Sequence, residues 1–89
     1  MDIEYSKRKG KRFVAIFEDG TKINFGLKNG NTYIDHHDKK KRENYIKRHQ
    51  VNENFNNPKS ASSLSRWILW GDDIDINTNI KKFKQKFNL

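Results

Sequence analysis

Eighty-nine residues make one small domain with room for a single modest core. Only 33% of them are apolar, but six Phe, three Tyr and two Trp concentrate buried area in few side chains, so the chain reads as folded with a polar surface. The absence of cysteine excludes disulfides and thiolate metal sites, the longest apolar run ("WILW", 67–70) is far too short for a membrane span, and nineteen Lys and Arg against eleven Asp and Glu give +8, a field that draws in polyanions.

The N-terminus, "MDIEYSKRKGKR", carries no apolar run and therefore no signal peptide. Residues 1–34 read as a β-meander. "RFVAIFEDGTKINFG" places two apolar runs around Asp19-Gly20, a two-residue hairpin signal. That turn sets Ile16 opposite Ile23 and Val14 opposite Phe25. A second turn at Lys9-Gly10 sets Tyr5 opposite Val14 and Ile3 opposite Ile16. Since strand side chains alternate faces, Ile3, Tyr5, Val14, Ile16, Ile23 and Phe25 are expected on one buried face. Asn29-Gly30 is a further turn, and 32–34 offers a short fourth strand.

A basic helix is expected over 35–50, with Asp35 as N-cap and Asp38 completing a capping box. Its inward stripe is thin: Tyr45, Ile46, His49 and the stem of Arg42. An Asn-rich loop with the only proline follows, carrying Phe55. Ser60 caps a Trp-containing helix over 60–70, closed by Gly71, in which Leu64, Trp67 and Ile68 face the sheet and Trp70 lies beside Trp67. A last helix over 77–88, capped by Asn77, carries Ile80, Phe83 and Phe87 on one stripe and Lys81, Lys82, Lys84 and Lys86 opposite. The expected class is α+β: an antiparallel meander of three or four strands followed by two or three short helices packed on one face.

The run "YIKRHQVNENFNNPKSASSLSRWILWG" (45–71) is similar to a family of small basic proteins encoded by large nucleocytoplasmic DNA viruses, mimivirus-like viruses included. Tyr45-Ile46, Arg48-His49, Asn52-Glu53, Phe55, Asn57-Pro58, Ser60-Ala61 and Ser65 through Trp70 carry the likeness. It implies a viral setting, with the virion or the cytoplasmic viral factory as location; it implies no mechanism.

Chemistry of the usual catalytic kinds is poorly supplied. His36 and His37 are adjacent, His49 is over three turns away, and no His-x-x-x-His pair puts two ligands on one helical face. Asp72, Asp73 and Asp75 are clustered, but acids before a helix also suit its dipole. Ser60, Ser62, Ser63 and Ser65 have no base at a readable spacing. The chain therefore reads as non-enzymatic, without metal or cofactor. The charge is its strongest signal. Lys39, Lys40, Lys41 and Arg42 are four consecutive cations that repel one another around a helix, and Lys47 and Arg48 extend them by two turns. Lys7, Arg8, Lys9, Lys11 and Arg12 form a second cluster at a hairpin tip, and the C-terminal lysines a third. These two first clusters are the expected phosphate contacts of a largely sequence-independent binder of double-stranded DNA. The alternative is a virion structural or interaction protein, docking through Trp70, Ile80, Phe83 and Phe87 to a partner or to a second copy of the chain; no membrane association is expected.

Overall fold

The computed structural model describes all residues, 1–89. Three antiparallel strands, β1 (Asp2–Tyr5), β2 (Lys11–Ile16) and β3 (Lys22–Leu27), form a sheet in the order β1-β2-β3. Helices follow: α1 (Tyr33–His36), α2 (Lys39–Gln50), α3 (Ala61–Leu64) continuing into a π-helical turn (Ser65–Leu69), and α4 (Ile76–Phe87). The architecture is the expected α+β meander with helices on one face.

The register differs from the expected one by a single residue of β2. Phe13 pairs with Phe25 and Ala15 with Ile23, while Tyr5 pairs with Phe13 and Ile3 with Ala15. The two outer strands keep their expected alignment to each other, and only the middle strand is displaced. The cause is the turn. Phe17 N–H donates to the Thr21 carbonyl at 2.9 Å and Gly20 N–H to the Phe17 carbonyl at 3.0 Å, with Gly20 at φ 90°. This is a three-residue loop, a type I turn ending in a left-handed glycine, in place of a two-residue one. A one-residue slip moves a strand's whole side-chain set across the sheet. Phe13, Ala15 and Phe17 are consequently buried, whereas Val14 and Ile16 are half-exposed. Two Phe rings hide more apolar area than Val and Ile, so the register that buries them wins.

Against this face pack Leu64, Ile68 and Leu69 from α3 and the π-turn, and Phe83 from α4; with Phe13, Ala15, Phe17 and Phe25 they form the core. Leu69 joins because the π-turn, in which Trp70 N–H donates to the Ser65 carbonyl at 2.9 Å, adds a residue to the turn and rotates Leu69 inward. Trp67, expected to anchor against the sheet, is only half-buried. Its indole N–H donates to the Phe55 carbonyl at 2.8 Å, which ties the Asn-rich loop to the helix. Ser60 caps α3 as expected, accepting from Ser63 N–H.

Three boundaries move for identifiable reasons. Residues 32–34 are not a strand: Tyr33–His36 is one helical turn, with the Asp35 carboxylate accepting from Thr32 N–H and the Thr32 hydroxyl, each at 2.8 Å. Asp35 is therefore not the cap of the basic helix. Asp38 is, accepting from Lys40 and Lys41 N–H, after a left-handed His37 (φ 58°). Asp75, not Asn77, caps α4, accepting from Asn77 N–H and the Thr78 hydroxyl. For α2 and α4 a competing Asp, three residues after the expected cap in one and two before it in the other, held the better N-cap position.

Candidate nucleic-acid interface

Helix α2 buries no residue fully. A twelve-residue helix of this kind is marginal alone and needs docking. Two devices supply it. The first is Arg42, whose Nε donates to the carbonyls of Gly71 (2.8 Å) and Trp70 (3.2 Å) and whose Nη2 donates to Asp72 Oδ1 (2.8 Å). Its guanidinium also lies 5.6 Å from the Tyr33 ring centre. The second is a run of four rings, His36–Trp70–Tyr45–His49. Tyr45 and Trp70 stack at 4.3 Å and 4°, His49 stacks on the far face of the pair at 4.2 Å, and His36 tilts against Trp70 at 5.3 Å. Burial, with the charge of Glu53 second, pushes the Tyr45 phenol up to about 12, so it stays a neutral donor.

The ring run changes the reading of Trp70. Expected beside Trp67 and as a docking residue, it instead has its faces taken, because Tyr45 lies flat on it and His36 leans against it. His36 and His49 stand at the two ends of the run, each otherwise engaged: His36 Nδ1 accepts from Asp38 N–H at 2.9 Å, and His49 Nδ1 lies 3.1 Å from Glu53. His36 Nε2 is buried without a hydrogen-bond partner.

The expected phosphate contacts divide into two groups. Arg12 and Arg42 are spent inside the molecule. Arg12 makes a two-pronged bond to Asp35, at 2.7 and 2.8 Å, which pins α1 to β2. That bond holds the Asp35 carboxyl well below the usual carboxylate range and raises the guanidinium in turn. Arg42 is the clasp just described. Both were expected to meet phosphate; both instead have a local carboxylate and little exposure, with about a fifth of each side chain accessible. The others, Lys7, Arg8, Lys9, Lys11, Lys39, Lys40, Lys41, Lys47 and Arg48, form no ion pair. Among the nineteen Lys and Arg, only Arg12, Arg42 and Lys59, which pairs with Asp19, have a carboxylate partner, which leaves sixteen without one. Some acids are committed elsewhere: Asp38 and Asp75 cap helices, and Asp73 accepts from Asp75 N–H; Glu43, on α2 itself, forms no ion pair.

The fold sets one residue of each cluster at a shared groove. Lys41 and Arg48 are seven residues apart on one flank of α2, and Lys40 and Lys47 occupy its outer face with the same spacing. The Arg48 flank borders a groove of about 560 Å³, and across it stands Lys11 from the start of β2. Lys28, not singled out in the sequence, belongs to this cluster. Its N–H donates to the Gly10 carbonyl at 3.1 Å, which sets it beside the tip bearing Lys7, Arg8 and Lys9. The signal was available, since in a meander the end of the third strand lies beside the first hairpin's tip.

The docking residues fare differently. Phe83 is fully buried, and Ile80 and Phe87 pack against the same core, so the stripe of α4 is used within the chain. Arg66 lies over Trp67 at 4.2 Å, donates to the Trp70 carbonyl at 3.0 Å, and does not pair with Glu53. Burial and the nearby Arg42 lower its pKa. Lys86 also lies over Trp67, at 4.6 Å.

No helix is long and apolar enough to cross a membrane, and no group of three His, Asp or Glu side chains is placed to hold a metal ion. No curated protein and no solved structure matches the chain. A family model matches residues 1–49, which span the sheet, the Arg12–Asp35 pair and nearly all of α2, and stops short of the Trp-containing segment. By this match over more than half its length, the chain belongs to DUF5754, a family of unknown function.

Proposed function

We propose that the protein is a non-enzymatic, largely sequence-independent binder of double-stranded DNA. The observation that carries this reading is the sixteen Lys and Arg side chains without a carboxylate, with one residue from each of two sequence-distant clusters, Lys11 and Arg48, lining one groove. Lys7, Arg8, Lys9, Lys11 and Lys28 approach the backbone from the sheet end, and Lys40, Lys41, Lys47 and Arg48 from α2. The sequence shows no base-reading pattern among these residues, so phosphate contacts dominate. The likeness of residues 45–71 to viral proteins makes genome compaction or packaging in a virion or viral factory the setting we favour.

Anisotropy titrations of a labelled duplex of about 20 bp across a salt series test this. Neutralising about six phosphates predicts a slope of log affinity against log salt of roughly −5. A flat response, or no binding at about 50 mM salt, refutes the reading.

A further inference from the structure

The groove between the sheet end and α2 has features beyond the two cations that duplex binding uses. Two cations, Lys11 and Arg48, stand at it from different elements. Its wall is formed by the edges of Tyr45 and Trp70, whose faces are covered by each other and by the two histidines. Ser62 and Ser65 add hydroxyls. The Ser65 hydroxyl makes no bond within the chain, and that of Ser62 reaches only Ser60, at 3.4 Å. Leu27, 69% exposed, forms an apolar lip with no partner in the fold. The groove thus combines two cationic side chains, a flat apolar wall and free hydrogen-bonding groups in about 560 Å³, within the range of a small-ligand site; the carboxylate at it, Glu53, lies 3.1 Å from His49 Nδ1.

Resting on the DNA-binding reading above, we infer that this groove takes one unpaired nucleotide of a DNA strand, with its phosphates on Lys11 and Arg48 and its base between Leu27 and the Tyr45–Trp70 edges. A base within a duplex cannot enter, because it is paired and stacked. A strand end or an overhang supplies one without that cost. Ring edges meet a base face in the edge-to-face arrangement that aromatic pairs favour, and the neutral Tyr45 phenol is available as a donor. The protein would therefore prefer DNA ends and junctions over continuous duplex.

The test compares a blunt duplex of about 20 bp with the same duplex carrying a three-nucleotide single-stranded overhang, at one salt concentration. The overhang is expected to tighten binding by about five- to tenfold, the lower end of what one base contact contributes. Ser62→Trp, which fills the groove from α3, is expected to remove this gain and leave blunt-duplex affinity and salt slope unchanged. Leu27→Ala, at a solvent-exposed site, is expected to reduce the gain about threefold and serves should Ser62→Trp fail to fold. Equal affinity of the wild-type protein for the two duplexes overturns the inference while leaving duplex binding intact. A gain that survives a folded Ser62→Trp overturns it as well. Failure to bind either duplex at low salt removes the functional reading beneath it.

Discussion

Arg42 separates a cation that builds the fold from one that serves its surface, and Arg42→Ala measures the difference. The change removes a strong charged hydrogen bond to the Gly71 carbonyl at 2.8 Å and a longer one to the Trp70 carbonyl at 3.2 Å. The Trp70 carbonyl keeps a donor in Arg66, so only the Gly71 carbonyl loses its bond outright. Such a bond contributes about 1.5–3 kcal/mol. Asp72 is 64% exposed, which limits the ion pair to about 0–1 kcal/mol, and the distant Tyr33 ring adds at most about 0.5 kcal/mol. The expected loss is about 2–3 kcal/mol, or a Tm lowered by about 10–20 °C in a domain of this size. Thermal and urea unfolding followed by Trp fluorescence reads it directly, because Trp70 sits at the clasp. Lys41→Ala, one residue away and exposed, is expected to change stability by less than about 0.5 kcal/mol. The salt slope of DNA binding orders them the other way: Lys41→Ala reduces its magnitude by about 1, and Arg42→Ala, measured where it is folded, leaves it unchanged. An Arg42→Ala protein as stable as the wild type but with a shallower salt slope would refute the division of the basic helix into clasp and contact.

Further outcomes follow from other parts of the fold. Asp35, held below the usual carboxylate range chiefly by Arg12, has a depressed folded-state pKa, so its contribution is present above the unfolded value of about 4 and is lost as pH falls through the lower folded value. Asp35→Asn should cost about 1 kcal/mol at neutral pH, with urea midpoints that decline less than the wild type's below about pH 4. Gly71→Ala should destabilise by about 3 kcal/mol or more, since a Cβ there would lie 2.3 Å from the Trp67 carbonyl oxygen, whereas Gly20→Ala, in open space but at φ 90°, should cost about 1 kcal/mol; urea unfolding ranks the two. Asn79 is buried, donates to the Ile68 and Asp73 carbonyls and accepts from Asp73 N–H; Asn79→Ala should cost about 2–4 kcal/mol by the same measurement.

The sequence made the class of the fold legible, and left the register and the fate of individual arginines illegible, for one physical reason. Periodicity and turn residues are local, so the meander, the Ser60 cap and the stripe of α4 could be read from their own neighbourhoods. The register of β2 depended on whether Asp19-Gly20 closes a two- or three-residue loop, and both are compatible with the same dipeptide. Agreement between two turn assignments carried no extra information, because both outer strands align with each other in either register and only the middle strand moves. What decided it was the difference in area between burying Phe13 with Phe17 and burying Val14 with Ile16, a tertiary quantity.

Arginine selection follows the same rule with a further consequence. Within "KKKR" and "KGKR" the residue drawn into the structure is in each case the arginine, Arg42 and Arg12, and in each case its partner is an aspartate more than twenty residues away. A guanidinium can satisfy two acceptors in a plane while remaining charged, which a lysine ammonium on a flexible stem does less well. The lysines beside them gain nothing comparable by turning inward and stay in solvent. Arg12 and Arg42 therefore hold β2 to α1 and α2 to the chain after the π-turn, while Arg8 and Arg48 of the same clusters form no ion pair and stay outward with the lysines. Replacing Arg12 or Arg42 by Lys would preserve net charge and still loosen the basic surface. If the surface acts on DNA, Arg42→Lys should weaken binding through lost helix docking, in proportion to its loss of stability. Affinity retained in a protein destabilised by about 2 kcal/mol would show that the basic surface works without the scaffold that positions it.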